Sequence, residues 1–97
     1  MLQISIRFFT RLREIIGKKE EFLEFAQEEI VTVDRVFKTL AQIYGEDFVK
    51  YIYDRETGNI KSYLQLLVNG KNTTLDGLQT ELKNGDILAI LPPVSGG

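Results

Sequence analysis

The chain has 97 residues, 43% of them apolar and 27% charged, the composition of one compact folded domain with no room for a second core of useful size. Its 12 basic and 14 acidic residues give a net charge of -2, so electrostatics supply no reason to expect nucleic acid as a partner. Cysteine and histidine are absent, which excludes disulfides, thiol nucleophiles, imidazole bases and the usual zinc ligands, and no metal site is expected.

Residues 1–13, MLQISIRFFTRLR, alternate apolar and polar side chains and lack the basic start and apolar run of a secretory signal, so a cytoplasmic location is expected. Ile4, Ile6 and Phe8 alternate with Gln3, Ser5 and Arg7, the period of a half-buried strand over Gln3 to Phe9, and this parity turns Phe9 outward. Arg11 to Ile16 reads as a short helical turn with Leu12, Ile15 and Ile16 inward, stopped by Gly17. Arg11, Arg13, Lys18 and Lys19 form a local basic cluster, read as solvated surface charge and available for docking. Glu21 to Phe25 has the spacing of a second strand, with Phe22 or Phe25 at its apolar positions.

The strongest helix signal follows Thr32, a good N-cap, with Asp34 in the first turn where the dipole favours negative charge. Val33, Val36, Phe37, Leu40 and Tyr44 recur at three- and four-residue spacing before Gly45, and this stripe is core. Phe48, Val49 and Ile52 suggest a further helical turn, and Asp54 to Asn59 has the composition of an exposed loop. From Tyr63 the strand period returns, with Leu64, Leu66 and Val68 alternating up to the hairpin signal Asn69-Gly70. Leu75, Leu78 and Leu82 fall in a connecting segment, Asn84-Gly85 makes another turn, and Asp86 to Leu91 forms the last strand. Strand, strand, helix, strands describes an α+β domain with one main helix covering one face of a mixed sheet, which a β-grasp arrangement satisfies. The first and last strands are expected side by side in its middle, with residues 1–91 as the domain and 92–97 as an extended tail. The apolar stretch Ile87 to Val94 is interrupted by two prolines and is far shorter than the roughly 20 residues that span a bilayer, so no membrane association is expected.

The chain finishes LPPVSGG. Pro92 and Pro93 cannot donate to a sheet ladder, so they end the last strand and project Val94, Ser95, Gly96 and Gly97 away from the body. Two glycines without Cβ atoms can enter a channel too narrow for other residues and bring the terminal carboxylate into a partner's active site. At roughly 7% glycine usage such a pair falls at one fixed place by chance in about one chain in 200, a modest signal by itself.

RFFTRLREIIG after the first strand, VTVDRVFKTLAQIYG as the helix, LLVNG, and LKNGDILAILPPVSGG at the end together span nearly the whole chain. In these motifs it resembles the small sulfur-carrier subunit of molybdopterin synthase, the MoaD/ThiS group of ubiquitin-like proteins. Residues 46–61 are longer than in the shortest bacterial members, a feature similar to archaeal relatives that also act as protein modifiers. The resemblance implies a non-catalytic small subunit, a carrier rather than a catalyst by itself. An adenylating enzyme related to ubiquitin-activating enzymes would join Gly97 to AMP with ATP, because the free carboxylate is a poor electrophile. The chain has no phosphate-binding loop and is expected to bind no cofactor of its own. A persulfide-bearing protein would then supply sulfur, leaving a thiocarboxylate on Gly97. The large synthase subunit would take that sulfur, in a heterotetramer, for the molybdenum or tungsten cofactor. Conjugation of Gly97 to lysines, and sulfur delivery to tRNA or thiamine synthesis, are the alternatives.

Partners also need a docking surface. Strand parity puts Phe9, Ala89 and Leu91 on the sheet face opposite the helix, where exposed apolar area marks interaction sites. The resemblance adds Leu75 and Arg13 to the same contact surface.

Overall fold

A computed structural model describes residues 1–92. Strands β1 (Leu2–Phe8), β2 (Glu20–Phe25), β4 (Gln65–Val68), β5 (Lys71–Asn72) and β7 (Ile87–Leu91) form one five-stranded sheet in the order β2-β1-β7-β4-β5. β1 and β7 are parallel at its centre, with Ile6 opposite Leu88 and Phe8 opposite Ile90. β2 and β4 flank them antiparallel, Ile4 facing Leu23 and Leu66 facing Ile90. Two short strands, β3 (Val31–Thr32) and β6 (Glu81–Leu82), make a separate pair. This is the mixed sheet expected from the residues, with the first and last strands adjacent at its centre.

The main helix, α2 (Val33–Tyr44), begins where Thr32 Oγ1 accepts the Arg35 amide at 3.3 Å, and it has Asp34 in its first turn. Its buried residues Val33, Val36, Phe37 and Leu40 pack on Ile4, Ile6, Phe8, Leu88 and Ile90 from the inner face of the sheet. Two shorter helices, α1 (Thr10–Ile16) and α3 (Glu46–Ile52), complete the helical layer. The "further helical turn" at Phe48 is therefore a full helix of seven residues, and Phe48 stacks edge-on against Phe37 with ring centroids 5.9 Å apart. Leu12 is fully buried, whereas Ile15 and Ile16 are half-buried. β1 stops one residue short of its expected end: Phe9 remains extended, at φ -127° and ψ 154°, but serves as the residue before α1. Leu82, expected in a connecting segment, instead pairs with Val31 in the small sheet.

A hydrogen bond joins α2 to the edge strand β2. The Tyr44 hydroxyl donates to Glu21 Oε1, and Glu21 also accepts the Phe22 amide at 3.0 Å and pairs with Lys18 Nζ at 3.3 Å. Burial pushes the Glu21 carboxyl up, but the Tyr44, Phe22 and Lys18 donors outweigh it and hold it below its ordinary value of 4.5. Burial, then the bond to Glu21, pushes the Tyr44 phenol up to about 12. Glu21 is depressed, so its contribution is present above its unfolded pKa and is lost as pH falls through the lower folded one. Tyr44 is raised, so its contribution is present below pH 10.0 and is lost as pH rises toward about 12. Replacing Tyr44 with Phe is expected to cost about 1–2 kcal/mol at neutral pH. Urea midpoints measured across the pH range check this: both the acid and the alkaline arm of the difference between wild type and variant should shrink to nothing.

Candidate functional site

The expected site has two parts, the tail and the face beside its exit. Pro92 is the last described residue and directly follows β7. Pro93, Val94, Ser95, Gly96 and Gly97 lie outside the described residues. Leu91 pairs with Gln65 at the start of β4, and Phe8 lies opposite Ile90, so the chain leaves the sheet where β1 ends and α1 begins.

The opposite ends of β4 and β7 are tied down by the residues of the LVNG and NGD motifs. The Asn69 amide nitrogen donates to Asp86 Oδ1 at 2.9 Å, and Asn69 Oδ1 accepts the Ile87 amide at 2.9 Å. The other Asp86 oxygen accepts the Lys83 amide at 2.8 Å. Asn69 has φ 51°, in the left-handed region that Asn tolerates better than most residues. These residues fix the register of β7 against its neighbours, so their place in the motifs has a structural cause rather than a chemical one.

On the sheet face away from α2, Ala89 and Leu91 lie half-buried, as strand parity requires. Arg7 is opposite Ala89, and Phe9 continues the same face one step further on. Phe9 and Arg13 share a shallow depression with Arg7, Lys19 and Glu20, where Arg7 Nε pairs with Glu20 at 3.4 Å. Phe9, Arg13, Ala89 and Leu91 are thus brought to one region. Leu75 stands fully exposed in the segment after β5, a strand that β4 separates from β7.

The same face carries three further apolar residues. Ile87 lies on it two residues before Ala89, Leu67 pairs with Ala89 from β4, and Phe22, 54% exposed, sits opposite Ser5 on β2. The parity that found Ala89 and Leu91 also finds Ile87 and Leu67. Phe22 was ambiguous with Phe25, and the register decides it: Phe25 faces Leu2 inside and Phe22 faces outward. Among the described residues no group of three or more Asp or Glu side chains is placed to share a metal ion. No helix among them is long and apolar enough to cross a membrane.

A domain of this topology, with its final strand at the centre of the sheet and an apolar face beside the exit, is a ubiquitin-like β-grasp protein. The ThiS family model matches residues 6–97, and the chain belongs to that family. The small archaeal modifier protein 3 of Haloferax volcanii is 32% identical over 97 residues, covering 99% of this chain and 100% of the relative. The molybdopterin synthase sulfur carrier subunit of Haemophilus influenzae is 36% identical over 94 residues, covering 97% and 99%. The solution structure of small archaeal modifier protein 1 from Methanosarcina acetivorans superposes with a TM-score of 0.77 at 33% identity, covering 100% of this chain and 98% of that one. The family thus combines sulfur carriers and protein modifiers on one fold.

Proposed function

We propose that the protein is a sulfur carrier whose Gly97 carboxylate is the reacting group. A Gly97 oxygen attacks the α-phosphorus of ATP on an activating enzyme, pyrophosphate leaves, and the acyl carbon acquires AMP as a leaving group. The terminal sulfur of a partner's persulfide attacks that carbon and displaces AMP. A partner thiol then cleaves the resulting S–S bond, which leaves a thiocarboxylate on Gly97 and a disulfide on the partner. The thiocarboxylate passes its sulfur to the large subunit of molybdopterin synthase, and this takes place in the cytoplasm. The observation that carries this reading is the apolar face of Ala89, Leu91, Ile87 and Leu67 beside the tail exit, on a chain without cysteine or histidine. Such a chain offers a partner a docking surface and an acyl group and leaves the catalysis to the partner.

A second reading, conjugation of Gly97 to lysine amines, is favoured by the likeness to a small archaeal modifier protein along the whole chain. Both readings share the adenylate and differ in the acceptor. Intact-mass measurement of the protein isolated from its own host separates them. One carboxylate oxygen replaced by sulfur identifies the carrier, and Gly-Gly remnants on lysines of other proteins identify the modifier. Failure of the host's activating enzyme to form any adenylate sinks both.

The docking face gives its own prediction. Ala89→Asp puts a charge at the centre of the apolar patch and is expected to raise KM for the activating enzyme by about 10- to 100-fold, a hot-spot loss of about 1.4–2.8 kcal/mol. Turnover at saturation should hold. Steady-state adenylation kinetics measure both, and an unchanged KM would remove this face from the interface.

A further inference from the structure

The charges of this protein are segregated. Residues 20–29 hold Glu20, Glu21, Glu24, Glu28 and Glu29 without one basic side chain. The ion pairs among the described residues are Arg7 with Glu20, Lys18 with Glu21, Arg35 with Glu29 and Lys38 with Asp34, all on β1, β2, α2 and the connections beside them. At the other side of the helical layer, Arg11 of α1, Lys50 of α3 and Lys61 before β4 line one depression together with Ile15, Asp47 and Tyr51. None of these three cations has a carboxylate within 4.0 Å among the described residues. Folding thus gathers three like charges from separate parts of the chain without an ion pair among the described residues, with Asp47 in the same depression and Asp54 and Glu56 beside Lys50 and Lys61 in the neighbouring one.

Two aromatic rings brace this cluster. Lys61 Nζ lies 5.9 Å from the centroid of the Tyr63 ring. The Tyr51 phenol is raised above its ordinary value by burial and by the neighbouring Tyr63, against the opposing pull of its hydrogen bond with Thr10 and of the Arg11 charge. Thr10 has φ 46°, uncommon for a β-branched residue, and it is where the chain turns from Phe9 into α1. The cluster therefore borders the end of the sheet where β7 runs out, next to the proposed docking face.

We propose that Arg11, Lys50 and Lys61 form an electropositive recognition site for an acidic surface on the protein that takes up the tail. The partner's chemistry is set by complementarity. Arg11 and Lys50, exposed, and Lys61, half-buried, outnumber the one carboxylate of their own depression and favour a cluster of Asp and Glu side chains, and their separation over three segments suits a surface rather than a single carboxylate. Charges of this kind act mainly on encounter, orienting the tail toward the partner before the apolar face closes, and their effect is screened over about 8 Å at physiological salt. The identity of the partner as the activating enzyme rests on the carrier reading, whereas the existence of the site does not.

The test therefore has a part that needs no activity. Hexaglutamate titrated into the full chain at low salt is expected to shift backbone amides of residues 10–15, 47–51 and 61–63 most, with the shifts vanishing at high salt. Perturbations centred on Lys18 and Lys19, or spread evenly over the surface, overturn the site. A single-stranded DNA oligonucleotide that binds the same residues more tightly than hexaglutamate at matched charge overturns the acidic-protein assignment. In the second part, the Arg11→Glu, Lys50→Glu, Lys61→Glu variant should lower kcat/KM for adenylation by the host's activating enzyme about 10- to 100-fold at low salt. The loss should narrow as salt is raised while kcat is kept, and Lys50→Glu alone, at an exposed helix position, should show a smaller loss of the same form. Wild-type-like kinetics in both variants overturn the role in docking. A wild-type chain that forms no adenylate yet keeps the localised hexaglutamate shifts loses the carrier reading and retains the site.

Discussion

A chain shortened by Gly97 alone should lose adenylation by at least about 100-fold in kcat/KM, measured by ATP–pyrophosphate exchange with the host's activating enzyme. The reason is reach. One extended residue spans about 3.3–3.6 Å, and a displacement of about 1 Å from the attacking geometry already costs on the order of 100-fold. β7 is locked into the centre of the sheet by β1 on one side and β4 on the other, so the body has no slack to offer in compensation. Restoring the length with alanine tests the second element of the argument: Gly97→Ala keeps the reach but adds a Cβ at the reacting end, and it should recover little of the lost rate. Full activity in the shortened chain would contradict the proposal that Gly97 reacts.

The largest stability effect is expected from Phe37→Ala. Phe37 is fully buried on the core side of α2 and packs edge-on against Phe48 at 5.9 Å with an interplanar angle of 79°. Removing the ring takes away the one aromatic contact between α2 and α3 and leaves a cavity, a loss of about 3–5 kcal/mol. For a domain of this size that is about 12–40 °C in Tm, a large part of a total stability of about 5–15 kcal/mol. Ile43→Ala is the control on the same helix: its side chain is 51% exposed, and the cost should stay near 0.5 kcal/mol. Thermal melts of the two variants side by side check the assignment of the core face, and similar losses in both would refute it.

The parts of the fold legible in the sequence are those where one local rule acts on several residues in a row. α2 has a capping threonine, an acidic first turn and five apolar residues on one stripe, and it starts and stops where those signals place it. The central strands are legible for the same reason, since alternation over Ile4, Ile6 and Phe8 admits only one inward face. β3 and β6 were not legible. Each is two residues long, and they exist only because Val31 and Leu82, distant in sequence, are brought together by the rest of the fold. Only part of α3 is legible, because its buried apolar residues Phe48 and Ile52 form a single inward pair.

The docking face divides in the same way. Ala89 and Leu91 follow from strand parity alone, whereas Phe22 needs the pairing of β2 with β1 to choose between two registers. The cluster of Arg11, Lys50 and Lys61 carries no local signal at all. Its members lie on three separate segments, and only the packing of α1 beside α3 gathers them. Arg11 was visible as surface charge, but not its neighbours in space.

The placement of β7 has a consequence for biosynthesis. The strand that fills the middle of the sheet, between β1 and β4, is also the last described element to leave the ribosome. Its partner β1 is made well before it, with the other strands and all three helices in between, so the central pairing waits for that whole stretch, and such non-local contacts form slowly. A nascent or truncated polypeptide therefore has neither its central strand nor a tail held at a defined exit. On the proposed carrier reading, activation selects molecules in which β7 is in place, because the strand that closes the core is also the one from which the chain continues to Gly97.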